Sequence, residues 1–532
     1  MKICLIRPSI VVPANNQATM FTPPLGLAYV GGALRQAGFD VTAIDGVGES
    51  LDTRYPVDND CYLYGLSPAE IVARIPANAT MIGINFGFSF EWPYARRLAR
   101  TIRAAYPDAF LVGGGEHVTA VPADSLRDGA LDAVVLGEGE ETIVEIAEIL
   151  KEGRRDLSGV LGVAYLDSGG RVVVNSRRQR IRAIDSIPLP AWDLFPIRNY
   201  LDAGVGFGVN RGRSMPVLAS RGCPYQCTFC SNPGMWTTRW IARDPDLLLD
   251  EMAHYQAVYG AQNFDFYDLT AIVKKSWIIS FCRKIKERGM SFTWQLPSGT
   301  RSEAIDGEVA RLLFDSGCRN LSYSPESGSP AVLARIKKRI NIDSVVESIA
   351  ACRRMAMNVK CNIILGFPGE TLRHVLQTYM FIGRMAAAGA YDISVWGFSP
   401  YPGSELFDEI ARRKNLVLND TYYDSLRSYA DPKRTISYSE NFSDRGLKIL
   451  RFVGTAIFYV VQWSLRPWRP LRILFNLLLG REESRSEMAL LGMIRRRRLK
   501  LGRSMQTPVG SQMSIPAPRS RTPQARPSPD VA

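Results

Sequence analysis

Ser220-Arg221-Gly222-Cys223-Pro224-Tyr225-Gln226-Cys227-Thr228-Phe229-Cys230-Ser231-Asn232 sets three cysteines at the spacing C-x3-C-x2-C, directly after a strand-like run, Pro216 to Ser220. A short loop of this spacing can place three thiolates on three corners of a [4Fe–4S] cube and leave the fourth iron without a protein ligand. An open coordination position marks a catalytic metal centre rather than a structural one. Two other readings stay open on these residues alone. One is tetrahedral zinc, which needs a fourth ligand from a chain whose only histidines are 117, 254 and 374. The other is unligated structural cysteines. The remaining cysteines, 4, 61, 282, 318, 352 and 361, are scattered, and the total of nine is odd. That is no disulfide framework, and these six read as small buried hydrophobes.

Around the cysteine loop, strand-like and helix-like segments alternate. Pro216–Ser220, Asn263–Tyr267, Phe292–Leu296, Asn320–Ser324, Lys360–Leu365 and Ile393–Phe398 read as six strands with helical segments between them. Six such units predict an incomplete α/β barrel over residues 206–415. Residues 1–150 alternate in the same way, with strands at Lys2–Ile6, Val41–Ile44, Met81–Asn85, Phe110–Val112 and Ala133–Leu136. They predict a doubly wound parallel sheet that binds ligand beyond its strand ends, where the glycine loops 113–115 and 137–139 fall. Residues 151–205 read as a hairpin and a proline-rich linker. MKICLIRPSI reads as a first strand and not as a signal peptide.

The three-cysteine segment, with Phe229 just before its last cysteine, resembles the signature of the radical S-adenosylmethionine (SAM) superfamily. That resemblance implies that Cys223, Cys227 and Cys230 hold a [4Fe–4S] cluster whose open iron takes the amino and carboxylate groups of SAM. Reductive cleavage of SAM then yields a 5′-deoxyadenosyl radical that abstracts hydrogen from an unactivated carbon. Phe266-Tyr267-Asp268, Ser324-Pro325-Glu326-Ser327-Gly328, Gly366-Phe367-Pro368-Gly369-Glu370 and Pro400-Tyr401-Pro402-Gly403-Ser404 follow in the order of the family's SAM-contacting segments. By that resemblance Phe229, Tyr267, Asp268, Glu326, Ser327 and Gly366 are SAM-site residues. The N-terminal half resembles the cobalamin-binding domain fused to radical SAM barrels, through the Pro8 loop, Pro23-Pro24-Leu25-Gly26, Gly113-Gly114-Gly115-Glu116-His117 and Gly137-Glu138-Gly139-Glu140. Pro8, Gly87, Gly114, Gly115, His117, Gly137 and Glu138 are then cobalamin-site residues, in a Rossmann-like domain. The D-x-H-x-x-G motif that supplies a cobalt-ligating histidine is missing, which leaves His117 as the one histidine of this half and leaves open a fold that has lost its cobalamin. The resemblance covers about residues 1–415. It implies the two-domain architecture of class B radical SAM methyltransferases, shared with anaerobic magnesium-protoporphyrin monomethyl ester cyclase and hopanoid methylases.

Residues 416–494 predict a mainly helical extension. Phe452–Val461 and Leu471–Leu479 are apolar runs, each too short to cross a bilayer. They suit either helices covering the open side of the barrel or an interfacial hairpin within 448–480 whose cations reach the headgroups. Residues 495–532 read as a disordered basic tail rich in Pro and Ser, with Arg495–Arg498 suited to an anionic leaflet. Of the net charge of +13, most sits in residues 481–532, which hold 11 Lys/Arg against 4 Asp/Glu. The body is only mildly basic, so no nucleic-acid partner is expected.

The expected function is carbon methylation of a lipid-like, tetrapyrrole or secondary-metabolite substrate. The cofactors are a [4Fe–4S] cluster, SAM and cobalamin, and the electron donor is a flavodoxin or ferredoxin. The expected place is the cytoplasm, with peripheral contact at the inner face of the membrane. A non-methylating radical oxidation, cyclisation or rearrangement is the alternative within enzymes. A membrane-surface or nucleic-acid binding protein with a structural cluster is the alternative outside them. Trp236, Trp240, Trp294 and Trp396 suit either a substrate cavity or the core.

Overall fold

The computed structural model describes residues 1–14, 21–58, 60–429, 431 and 433–503. Its first sheet contains strands β1 (Lys2–Arg7), β2 (Asp40–Asp45), β3 (Ala79–Asn85), β4 (Phe110–Gly114), β5 (Ala133–Val135), β6 (Val163–Leu166) and β7 (Val172–Val174), in the spatial order β7-β6-β5-β4-β3-β1-β2. The first five are parallel, and all but the edge strand β2 are largely buried on both faces, which is why they read as short apolar runs. The hairpin β6–β7 adds to the sheet edge in antiparallel sense. The sheet therefore continues past residue 150, where the linker was expected to begin. A second, three-stranded sheet of Ile10–Pro13, Arg54–Val57 and Cys61–Tyr64 was not foreseen from the sequence.

The second large sheet runs in sequential order: β8 (Ser214–Val217), β9 (Asn263–Phe266), β10 (Thr293–Thr300), β11 (Cys318–Glu326), β12 (Asn358–Leu365) and β13 (Asp392–Gly397). All five pairings are parallel, which gives the six-stranded open barrel that the alternation predicts. Strands β10 and β11 run further than read, because register shifts at Leu296/Gly299 and Tyr323/Glu326 carry the pairing on toward Thr300 and Glu326. Trp294 is core: it is fully buried against Phe266 and Phe281, and its indole N–H donates to the Ser316 carbonyl.

The C-terminal extension does two things to this barrel. Helix α1 (Leu372–Ala388) lies between β12 and β13, and helix α2 (Asp444–Leu465) packs on it and on β13 through buried Leu447, Gly454, Phe458 and Gln462. This covers the open edge. Beyond helix α3 (Trp468–Leu478), the chain returns to the N-terminal end of the barrel strands, where Asn320 and Asn358 donate to the Glu483 carbonyl and Ser486 binds Asp392. Helix α4 (Arg485–Arg503) follows, so the segment expected to be tail from residue 495 is helical as far as Arg503. The Arg495–Arg498 side chains and residues 504–532 lie outside the described residues.

Candidate functional site

The cysteine loop leaves the C-terminal end of β8, and its backbone from Gly222 to Cys230 is mostly irregular. Asp268, just beyond β9, holds the approach to this loop: one carboxylate oxygen accepts from the Ala219 N–H at 3.0 Å and the other from the Ser220 hydroxyl. Burial pushes its carboxyl up to about 6, with the Ser220 and Ala219 bonds opposing the shift. Both oxygens are thus committed to the protein, and Asp268 supports the loop rather than facing outward. Ser327 is committed in a similar way, its hydroxyl lying 3.1 Å from that of Thr378 and accepting from the Ser329 N–H.

The other residues gather on one side of the loop. Phe229 packs on Phe367 with ring centroids 5.7 Å apart. Gly366, next to it, sits at φ +86°, and a Cβ there would meet Leu447 at 2.8 Å, so only glycine suits this turn. Its N–H donates to Glu370, whose carboxyl burial raises to about 7. Glu326 stands at the end of β11 at φ +68°, a conformation that non-glycine residues adopt at a cost, and such strain concentrates at functional sites. Its carboxylate meets Lys338 Nζ at 3.3 Å, both side chains being largely buried. Lys338 also stands over the Phe229 ring at 5.9 Å, and Arg301 lies over the Tyr225 ring at 3.9 Å. Tyr267 is turned elsewhere, edge-on to Phe207.

Burial raises the pKa of all three loop thiols, Cys230 to about 12, while Lys338 and Arg301 pull Cys223 and Cys227 back down. The donor set fits an iron–sulfur cluster: three thiols on one loop, two cations beside them, and no histidine in contact. Among the described residues, no three His, Cys, Asp or Glu side chains are already gathered as a metal-ligand set.

The expected cobalamin residues divide into two groups. Pro8 and Gly87 line a crevice beyond the ends of β1 and β3, together with Arg7, Pro23, Pro24 and Glu91. This is the switch point of the sheet, since β2 and β3 flank β1 on opposite sides. Burial raises the Glu91 carboxyl to about 7, with Arg7 and Arg427 opposing the shift. Gly114, Gly115, Gly137 and Glu138 lie instead at the ends of β4 and β5, facing the segment after Cys230. Gly115 sits at φ +116°, and a Cβ there would strike the Phe86 carbonyl at 2.5 Å, so the tight turn needs glycine. Glu116, which follows it, accepts from the Ser231 hydroxyl.

Glu138 belongs to a buried ionic seam. Arg180 Nε reaches it at 2.6 Å and Arg221 Nη1 at 3.3 Å, while Arg221 Nη2 reaches Glu140 at 2.7 Å. All four side chains are less than 10% exposed. The Arg221 guanidinium also lies over Tyr29 at 4.9 Å and Trp236 at 6.0 Å. Trp236 is therefore part of this seam. Arg221 sits two residues before Cys223, so the seam ties the glycine loops of the first sheet to the cysteine loop of the barrel.

His117 is buried within the first domain. Its ring lies 4.6 Å from Trp92 and 5.5 Å from Tyr423, is 1% exposed, and places Nδ1 3.0 Å from the Ser89 hydroxyl. Burial drives its pKa down to about 3, with Arg96 adding to the effect. The imidazole is thus neutral and packed inside the domain, with Nδ1 beside Ser89 and Nε2 buried without a hydrogen-bond partner among the described residues. Lys338, Arg301 and Arg180 were not singled out from the sequence, and Arg221 and Glu140 stood in quoted motifs without an assigned role. Only the fold brings them to the loop.

A parallel-sheet domain with a crevice at its switch point, joined to a six-stranded open barrel that carries three cysteines on its first loop, defines a two-domain cofactor enzyme. The comparisons agree: residues 217–382 match the radical SAM superfamily, and residues 12–147 match the B12 binding domain. The chain is 30% identical over 455 residues to an uncharacterized methyltransferase of Pyrococcus horikoshii, covering 85% of this chain and 91% of that one. It is 28% identical to the cytidylyl-2-hydroxyethylphosphonate methyltransferase of Streptomyces wedmorensis, over 77% and 82% of the two chains. A solved structure of the radical SAM methyltransferase TsrM from Kitasatospora setae, with cobalamin and a [4Fe–4S] cluster bound, superposes with a TM-score of 0.60 at 20% identity, over 77% and 78% of the two chains. The chain belongs to the radical SAM superfamily, in the group that carries a B12 binding domain ahead of the barrel. Its cofactors are those of that group: a [4Fe–4S] cluster, SAM and cobalamin. No helix among the described residues is long and apolar enough to cross a membrane.

Proposed function

We propose that this enzyme methylates an unactivated carbon of a small, lipid-like substrate, with Cys223, Cys227 and Cys230 holding the cluster. The observation that carries the reading is the ionic seam, because it holds the loop of a radical-generating barrel against the glycine loops of a B12 binding domain. When bound, the three cofactors supply hydrogen abstraction and methyl transfer, and the chain supplies positions and charge. The thiols turn inward to meet the cluster, which the irregular backbone of the loop permits. Lys338 and Arg301 offset the charge of the thiolates. Glu326 accepts from the SAM ammonium group, while Phe229 and the Gly366 turn border the adenosine. Asp268 and Ser327 support the loop and the strand end from behind, while Tyr267 is turned toward Phe207. Pro8, Gly87, Gly114, Gly115 and Gly137 offer backbone without bulky side chains to the corrinoid. Orientation of one substrate carbon toward both cofactors is the main contribution of the protein.

The reading includes a flavodoxin or ferredoxin as electron donor and contact of residues 448–480 with the inner face of a membrane. The exposed apolar residues of α2 and α3 support the latter and suit a lipid-like acceptor. The test is anaerobic reconstitution with iron, sulfide and hydroxocobalamin, followed by reduction in the presence of SAM. The expected result is four irons, one cobalamin and formation of both 5′-deoxyadenosine and S-adenosylhomocysteine. 5′-Deoxyadenosine with an oxidised or cyclised product and no S-adenosylhomocysteine would replace methylation with the alternative radical outcome. Absence of a cluster would overturn the reading.

A further inference from the structure

We infer that the outer face of α2 and α3 is a docking surface for an anionic lipid bilayer, with the apolar side chains entering the membrane and the local cations at its rim. The inference rests on the membrane contact proposed above and assigns it to particular side chains.

On α3, Trp468, Leu471, Leu474 and Leu478 recur at helical spacing, and each is more than half exposed. Phe452 and Trp463 extend the exposed apolar surface onto α2. Leu478 is 77% exposed and Phe452 73%, so these residues are not the edge of a core. An ordinary surface helix presents its polar face to water, and this one presents its apolar face. Two of its polar side chains, Arg469 and Asn476, are turned inward, while Arg472 stays outside. Arg466 donates to the carbonyls of Ala386 and Ala387, and Arg469 to those of Gly389 and Ala390, capping the C-terminal end of α1. Arg451 donates to the Val395 carbonyl. An interfacial hairpin, one of the two expectations for 448–480, would place its cations at the headgroups, and these three are spent on the barrel. Their bonds fix α3 with its apolar face outward.

Charge identifies the occupant. Residues 445–481 contain no Asp or Glu. The outward charges along this stretch are Arg445, Lys448, Arg472 and Arg481, with Arg472 shared with Glu483. After Glu487 the sequence adds Arg495, Arg496, Arg497, Arg498, Lys500 and Arg503, and no acid before Asp530. An apolar helix face with Trp468 at its start and Arg445, Lys448, Arg472 and Arg481 outward along the same stretch matches an interfacial helix on an anionic leaflet. A second copy of the same face would bring like charges together.

The experiment is co-sedimentation of the full-length, cluster-loaded protein with vesicles, without turnover. Expected is binding to vesicles of phosphatidylcholine mixed with phosphatidylglycerol, weaker binding to phosphatidylcholine alone, and release by salt. The double variant Leu474→Glu/Leu478→Glu, with wild-type iron content and helicity, should bind roughly a hundred-fold more weakly or less, since two leucines no longer enter the membrane. Quenching of tryptophan emission by brominated lipids in the wild-type protein gives a readout that needs no variant. Failure of the wild-type protein to bind, equal binding by the double variant, or a salt-stable dimer abolished by the same substitutions would overturn the inference. Any of these would leave SAM cleavage and methyl transfer, read by their own products, untouched.

Discussion

Glu138, Glu140, Arg180 and Arg221 lie less than 10% exposed between two domains, whereas Trp468, Leu471, Leu474 and Leu478 lie more than half exposed on a helix. Charges are inside in the first region, and large apolar groups are outside in the second. A buried ion pair is weak support for stability, because desolvation offsets most of the attraction. What the seam supplies is a unique registry between the glycine loops and the cysteine loop, since four charges have one arrangement that satisfies them. The apolar face supplies the reverse: it adds little to the fold, yet its removal from water awaits a partner. Both departures from the usual distribution mark places where two bodies meet, within the chain at the seam and outside it at α3.

The largest effect is expected at the loop the seam holds. Cys227→Ala should leave almost no bound iron and no 5′-deoxyadenosine, read by iron analysis and product chromatography, while cobalamin retention is preserved. Retention of four irons would mean that Cys227 is not a ligand. Next comes the seam itself. Arg221→Met leaves Glu138 and Glu140 buried against fewer cations, which should cost about 3–5 kcal/mol of stability, read as a lower denaturant midpoint. A shift under about 1 kcal/mol would show the seam to be wetter than its burial implies.

His117 gives a prediction of comparable size with a sign in pH. Its imidazole is held down to about 3 by burial, against an ordinary value near 6.5. The unfolded chain therefore binds the extra proton first. The stability this site contributes is fully present above pH 6.5 and is lost as pH falls toward 3, by roughly 4–5 kcal/mol in all. Denaturant midpoints between pH 7 and 4 should fall less steeply in His117→Gln, with bound cobalamin unchanged. Loss of cobalamin in that variant would return His117 to the ligand set. The smallest effect on folding is expected on the apolar face: Leu478→Glu should change stability by about 0.5 kcal/mol or less while weakening vesicle binding. A large loss of stability there would mean that the face is packed after all.

Much of this architecture was legible in the residue order. The presence and order of the strands in both large sheets follow from short apolar runs closed by glycine or proline, while their ends do not, since β10 and β11 continue through register shifts to Thr300 and Glu326. Lys338 and Arg221 were not legible. Lys338 stands in a basic run and Arg221 just before the cysteine loop, and each is buried by partners 12 residues away in one case and about 80 in the other. Asp268 and Ser327 show the opposite limit. Their motifs were recognised, yet which backbone groups their oxygens would bind depends on where the strand ends come together. Arg466 and Arg469 stood open between headgroup and barrel, and the carbonyls at the end of α1 decide for the barrel.

By itself the sequence determined the three-cysteine loop, the two repeated strand–helix patterns and the cofactor class they imply, because ligand spacing and hydrophobic period are local properties of the chain. Only the tertiary structure decided that Glu138 and Arg221 join the two domains, that His117 is packed away, and that α3 turns its apolar face outward. Each of these depends on which distant groups arrive beside a side chain. Burial and partner together set its charge state and its direction.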